Sequence, residues 1–217
     1  MRIGIDIDNT ITSTSEVILK YAQCFGRENH LNIIPNQQAY LLEDVLGWPR
    51  PVVERFFASS LLDIYTHVKP RPMAVEIMRE WSSRHDLVII TSRQKYSPGI
   101  EQATREWLGR HRVVYHKLIM NTTSDFHYSS KVDACLDNGV EIMLEDHHDQ
   151  ALELSRWLPV LLFTYPYNEH IQAKNVRRVK DWLEVKNIVR NLEEGCQNKQ
   201  EQDVSLPGIL PIRFEEG

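Results

Sequence analysis

Short apolar runs separated by amphipathic stretches constrain this chain more than any other feature. The runs are RIGIDID at the N-terminus, DLVIITS (86–92), HKLIMN (116–121), EIMLED (141–146) and PVLLFTYP (159–166). Each is brief and rich in branched aliphatic residues, which reads as a strand buried on both faces. Helical stripes lie between them: Met73, Ile77 and Trp81; then Ile100, Ala103, Trp107 and Leu108. Pro98 reads as a first-turn proline, and Pro72 lies near the start of its helix. SSKVDACLDNG carries a serine cap before a further helix and Gly139 after it. Val179, Trp182, Leu183, Ile188 and Leu192 predict a closing helix. Strand and helix alternating in this order predict an α/β fold, a parallel sheet with helices on both faces.

The alternation breaks once. From Ile11 to Pro70 there are helical stripes but no convincing strand, far more chain than one crossover needs. A small helical cap inserted after the first strand accounts for it. The expected organisation is therefore a core of residues 1–12 and 71–193, a cap of 13–70, and a tail of 194–217 that is flexible or extended on the surface. The apolar tail residues Ile209, Leu210, Ile212 and Phe214 offer a docking segment for this or a second chain, so a homodimer stays open. The formal net charge of −5 argues against nucleic acid as the main partner. No stretch is apolar enough to span a bilayer and no leader pattern precedes RIGIDID, so no membrane association is expected. Cys24, Cys135 and Cys196 are scattered and odd in number, which suits a reducing, cytoplasmic setting.

In open parallel sheets, ligands bind beyond the carboxyl ends of the strands. Those ends deliver Asp6, Asp8 and Thr10 from the first strand, Thr91, Ser92 and Arg93 from the second, and Glu145 and Asp146 from the fourth. Lys131 opens the helix after the third. Several carboxylates on one rim repel each other unless a cation sits among them. A hard divalent ion with oxygen ligands, Mg2+, is the economical solution. Hydroxyls and a lysine beside such an ion suit the oxygens of a phosphoryl group, and a carboxylate can attack phosphorus directly.

DIDNT resembles the first motif, DxDxT, of the haloacid dehalogenase superfamily of phosphohydrolases. LVIITSR resembles its second motif, Lys131 its third-motif lysine, and IMLEDHHDQA its fourth. All four occur in order, each at an expected strand end or helix start, over roughly residues 1–190. The resemblance implies a Rossmann-like three-layer core with a cap inserted after the first motif. LLFTYPYN followed by VRRVKDWLEV is similar to the small bacterial branch related to the 5'(3')-deoxyribonucleotidases. Asn9 departs from the pattern, standing where many members have glycine.

Geometry and resemblance together imply roles. Asp6 would be nucleophile and metal ligand. Asp8 would protonate the leaving oxygen, activate water afterwards, and offer its main-chain carbonyl to the metal. Asp146 would be a direct ligand, with Glu145 holding a metal-bound water or Lys131. Thr91, with Thr10, Ser92 and Arg93, would bind phosphate or substrate, and Lys131 would neutralise charge. The implied activity is Mg2+-dependent hydrolysis of a small phosphate ester, a nucleoside (deoxy)monophosphate by resemblance. A sugar phosphate is the alternative within the class, and a non-catalytic binding module the alternative outside it.

Other groups are given blander roles. His147, His148 and Asp149 sit at a helix start on the rim, which accounts for them without a transition metal. His85–Asp86 precedes a strand, unlike the all-helical His-Asp phosphohydrolases. Tyr21, Phe25, Tyr40, Trp48, Phe56, Phe57 and Tyr65 of the cap are each more readily core than base-stacking platforms.

Overall fold

The first strand shows how the core is partitioned. In the computed structural model, which describes residues 1–123 and 130–202, β1 (Arg2–Ile5) alternates its side chains between two apolar layers. Ile3 and Ile5 enter the larger one, with Trp81, Trp107 and Trp182. Gly4 faces the smaller one. A Cβ there would stand 2.6 Å from Met143 Sδ and 2.9 Å from Val140 Cγ1, so close packing demands glycine.

The remaining strands are β2 (Asp86–Gln94), β3 (Lys117–Asn121), β4 (Ile142–Glu145), β5 (Val160–Phe163) and β6 (Val176–Val179). They form one sheet, ordered β3-β2-β1-β4-β5-β6, and every pairing is parallel. Helices α4 (Ala74–Trp81), α5 (Ile100–Arg110) and α8 (Trp182–Gln202) cover one face. Helices α6 (Val132–Asp137) and α7 (His148–Leu154) cover the other. This is the expected α/β three-layer architecture. Because the order reverses at β1, β1 and its neighbours β2 and β4 bring their carboxyl ends to the switch point of the sheet.

The sequence reading is corrected at several places. The described residues form six strands, not five. β6 reads VRRV, and the arginines that hide it as a strand are the charges an edge strand tolerates. Val179 belongs to β6 rather than to the closing helix. Helices α4 and α5 begin after Met73 and Gly99, both with positive φ (65° and 76°), so Pro98 precedes its cap instead of filling the first turn, while Pro72 lies near the start of α4 as expected. Lys131, not a serine, occupies the cap position of α6, while Ser130 Oγ accepts the Val132 N–H at 3.3 Å. Residues 194–202 continue α8 and are helical, not extended. The apolar tail segment around Ile209 to Phe214 lies outside the described residues.

Between β1 and α4 the chain forms α1 (Thr14–Glu28), α2 (Leu42–Leu46) and α3 (Arg50–His67). They share their own apolar cluster of Ala22, Leu46, Trp48, Val53, Phe56 and Ile64. Thr12 and Pro70 form an antiparallel bridge where the segment leaves and rejoins the core. Trp107 Nε1 on α5 donates to Val68 O at 2.7 Å, fastening the return of the segment to the core.

Candidate active site

β1 runs from a dry interior straight into charge, because Asp6 lies one residue beyond its last strand position. The Asp6 N–H still donates to Leu144 O (3.0 Å), which holds this residue level with the end of β4. Asn9 then adopts φ 57°, and the N–H groups of Thr10, Ile11 and Thr12 turn back onto Ile7 O at 2.9–3.3 Å. The turn needs a left-handed residue, which asparagine tolerates better than most non-glycine residues. This explains the departure from the glycine pattern. Asn9 also does what glycine cannot: its Nδ2 donates to Ser15 Oγ (2.8 Å), Asp146 Oδ2 (3.1 Å) and Tyr167 OH (3.2 Å), and its Oδ1 accepts Ser15 N–H (2.9 Å). Asn9→Ala is expected to cost about 2–3 kcal/mol, combining left-handed strain with lost buried hydrogen bonds. Asn9→Gly relieves the strain and should cost less. Urea unfolding of the two variants checks the order; equal losses would show that the turn itself is not strained.

At the centre Lys131 Nζ donates to Asp6 Oδ1 and to Glu145 Oε2, both at 2.7 Å. All three side chains are almost fully buried. Asp146 beside them accepts from Tyr167 OH (2.5 Å) and Asn9, while Asn168 Nδ2 donates to Asp146 O and Phe163 O, both at 2.7 Å. Glu145 Oε1 accepts His147 N–H at 3.1 Å. Burial, with the charges of Glu145, Asp146 and Asp8, raises the Asp6 carboxyl well above its ordinary value despite Lys131. Burial and Glu145 push Asp146 to about 7, although Tyr167 and Asn9 hydrogen bonds oppose this. Burial disfavours the Lys131 cation, yet Asp6 and Glu145 outweigh it and raise Lys131 above its ordinary value.

Asp8 is held elsewhere on the rim. Arg93 Nε donates to Oδ2 (2.9 Å) and Nη2 to Oδ1 (2.7 Å), and Thr14 Oγ1 donates to Oδ1 (2.6 Å). Burial would raise this carboxyl, but the Arg93 charge and these hydrogen bonds hold it below its ordinary value.

Asp6, Glu145 and Asp146 place one ligand oxygen each within 4.8 Å of one another. Three crowded oxygen donors, two of them driven toward protonation by burial and repulsion, fit a hard divalent cation. The Asp8 carboxylate is not among them; its side chain is committed to Arg93 and Thr14. His147, His148 and Asp149 also place ligand atoms within 4.8 Å. The two imidazoles stack at 25°, however, so their in-plane lone pairs run side by side rather than converging.

The carboxylates line a cavity of about 420 Å³ that is also lined by α1, α2 and α3. These helices give it an apolar lining that includes Ile18, Leu19, Leu42, Val45, Phe57 and Leu61. Tyr40 and Tyr65 line it as well. The Tyr40 ring centroid lies 4.0 Å from that of His147 and 5.4 Å from that of Tyr167. Phe25, Trp48 and Phe56 instead pack on one another in the cap core.

A family model described as "5' nucleotidase, deoxy (Pyrimidine), cytosolic type C protein" matches residues 1–193. The chain belongs to this nucleotidase family. A protein of Halalkalibacterium halodurans, itself proposed to be a nucleotidase, is 26% identical over 187 residues, covering 85% of this chain and 90% of that protein. A nucleotidase of Clostridium acetobutylicum is 26% identical over 197 residues, covering 89% and 96%. Among solved structures, a haloacid dehalogenase-like hydrolase from Streptococcus pneumoniae superposes with a TM-score of 0.62 at 15% identity, covering 87% of this chain and 97% of that one. That likeness is one of fold. The family makes the chain an enzyme, a nucleotidase.

Within this nucleotidase, Asp6, Asp8, Ser92, Arg93, Lys131, Glu145 and Asp146 all line the cavity. Two expected phosphate-binding residues do not. Thr10 is fully buried, because the turn at Asn9 directs it inward, and its Oγ1 has no hydrogen-bond partner among the described residues. Thr91 is buried within β2, just before its register shift, where its Oγ1 accepts Arg93 N–H (3.3 Å). Arg93, expected on substrate, has its guanidinium taken by Asp8.

Sequence reasoning gave no role to Thr14, Tyr167, Asn168 or Arg71. The YPYN turn contained Tyr167 and Asn168 in plain view. Arg71 had no sequence signal. Its Nη1 donates to Asn9 O (3.2 Å) and to Tyr165 OH, and its Nη2 to Lys180 O (3.0 Å), bracing the first turn against the end of the sheet. Among the described residues no helix is long and apolar enough to cross a membrane.

Proposed function

We propose that this nucleotidase is a Mg2+-dependent phosphomonoester hydrolase that works through an aspartyl-phosphate on Asp6 and acts on nucleoside (deoxy)monophosphates. The observation that carries the reading is one buried lysine shared by Asp6 and Glu145, with Asp146 beside them, at the mouth of a cavity. Lys131 takes Oδ1 of Asp6, leaving Oδ2 as the candidate attacking atom. In the first half, an Asp6 oxygen bonds to phosphorus, the ester P–O bond breaks, and Asp8 gives a proton to the departing oxygen. In the second half, water attacks phosphorus, the Asp6–phosphorus bond breaks, and Asp8 takes the water proton.

Arg93 holds Asp8 ionised at rest, which serves the second half. An arriving phosphate dianion acts the other way and favours a proton on Asp8 before the first. Lys131 offsets negative charge as it builds on Asp6 and the transferring group. Mg2+ held by Asp6, Asp146 and Glu145, the last directly or through water, with the Asp8 carbonyl, would supply Lewis-acid charge neutralisation for the phosphoryl oxygens. Ser92 and neighbouring backbone amides are the candidate phosphate donors.

The apolar wall favours a nucleoside over a sugar phosphate, whose hydroxyls would lose hydrogen bonds against it. The cavity volume lies within the roughly 300–1,000 Å³ usual for small-molecule sites. Phosphate release from nucleotides and sugar phosphates side by side, with and without Mg2+, tests the reading. Metal-dependent turnover favouring nucleotides is expected. Preference for sugar phosphates would overturn the substrate class, and metal-independent turnover the cofactor.

The cation site also sets a pH dependence of stability. Asp6 and Asp146 bind protons more tightly in the folded chain than in the unfolded one, whose carboxyls titrate near 3.8. The metal-free protein therefore loses stability as pH rises from about 4 to about 7. A bound cation removes that loss. Saturating Mg2+ should raise Tm by roughly 5–10 °C at pH 8 and by under about 2 °C at pH 5. Equal shifts at both values would argue against these carboxylates as the ligands.

A further inference from the structure

We infer that Arg93, assisted by Thr14, is a positioning residue that leaves Asp8 a single working lone pair, on Oδ2. The inference rests on the proposed phosphatase reading. An ionised carboxylate offers about four acceptor sites. On Oδ1, Arg93 Nη2 and Thr14 Oγ1 take two, at 2.7 and 2.6 Å. On Oδ2, Arg93 Nε takes one, at 2.9 Å. The remaining site is the one through which Asp8 can give or take a proton. Its side chain keeps 27% exposure and lines the cavity, whereas that of Arg93 has 0%.

Arg93 is itself fixed on every side. Its Nη1 donates to Thr104 Oγ1 on α5 at 3.3 Å. The Tyr65 ring, from α3 of the cap, lies 3.8 Å from the guanidinium carbon. The register shift of β2 between Thr91 and Gln94 falls where Arg93 leaves the regular ladder. Thr14 Oγ1 is paired in turn with Thr12 Oγ1 at 2.7 Å. A guanidinium wedged in this way cannot swing to the substrate, but it prevents the carboxylate from rotating. Lysine would keep the charge and lose the planar fork.

In the reaction, the proton on Asp8 Oδ2 passes to the ester oxygen as its bond to phosphorus breaks, and the same atom later takes a proton from water. The need for that first transfer depends on the leaving group. A ribose oxygen needs the proton, whereas a p-nitrophenolate leaves without it. We therefore compare kcat/KM, which reports the first irreversible step, for a nucleoside monophosphate and for p-nitrophenyl phosphate. For Arg93→Lys the expected loss is about 30–100-fold on the nucleotide and under about threefold on p-nitrophenyl phosphate. Thr14→Val should show the same asymmetry, with a loss of about 3–10-fold on the nucleotide, and it decides the matter alone if Arg93→Lys does not fold.

Equal losses on both substrates would overturn the inference in favour of a structural role. A rise in KM with kcat unchanged would overturn it in favour of a substrate contact. Wild-type enzyme with no turnover that Asp6→Asn abolishes would overturn the phosphatase reading and this inference with it. Asp6-dependent turnover with symmetric Arg93 losses overturns the inference alone.

Discussion

Asp6→Asn should abolish phosphate-ester turnover, by about 10⁴-fold or more, in a protein that still folds. The size of the effect follows from the role: with no nucleophile there is no covalent route, and residual rate comes only from binding and charge. The retention of fold follows from the site. Asp6 sits buried, its carboxyl raised by burial and by three neighbouring acids, so its charge is a cost that asparagine of nearly equal shape removes. Lys131 keeps Glu145 as a partner. Phosphate release measures the first expectation and circular dichroism with thermal melting the second. Turnover within tenfold of wild type would sink Asp6 as nucleophile. A variant that does not fold would mean that Asp6 is needed for structure.

Lys131→Met is expected to lower both activity and stability. It removes the cation that touches both Asp6 and Glu145 while keeping most of the side-chain volume. Breaking a buried pair by deleting one partner costs about 3–5 kcal/mol, since the remaining charges stay desolvated. For a chain of this size that is roughly 10 °C in Tm. The sign with pH is definite. Lys131 lowers the Asp6 carboxyl, so its loss raises Asp6 further and makes the native state hold protons to higher pH. The deficit should thus be large at pH 8 and shrink toward pH 5, as Asp6 takes up its proton. Activity should fall about 10³-fold, because the same charge stabilises the transferring group. Thermal melts across pH and initial rates test the two parts separately. A deficit that does not vary with pH would contradict the shared-lysine arrangement.

The parallel sheet was legible because its central strands are buried on both faces, and such strands must be written as uninterrupted apolar runs. β6 was not legible because an edge strand lacks that requirement; VRRV carries its arginines outward and onto the YPYN turn, where Arg178 Nη1 donates to Asn168 O (2.7 Å). The acids of the site were legible for a related reason. A carboxylate that ends an apolar run stands out, and the strand ends converge by topology. Of the hydroxyls at the same ends, Ser92 reaches the cavity but Thr10 and Thr91 do not, since their direction depends on one φ angle at Asn9 and on a register shift in β2.

The sequence by itself determined the fold class, the rim to which the strand ends bring their polar residues, and Asp6, Lys131, Glu145 and Asp146 as its charged centre. Only the tertiary structure decided what each polar group pairs with. Arg93 reads from the sequence as a substrate or phosphate contact; its guanidinium is paired with Asp8 instead, where α5, Tyr65 and Thr14 close around the two. Asn9 was unexplained until Asp146, Ser15 and Tyr167 surrounded its amide. The physical reason is common to both. Burial is encoded in local composition, but hydrogen-bond partners lie between 6 and 158 residues away along the chain, and packing alone selects them.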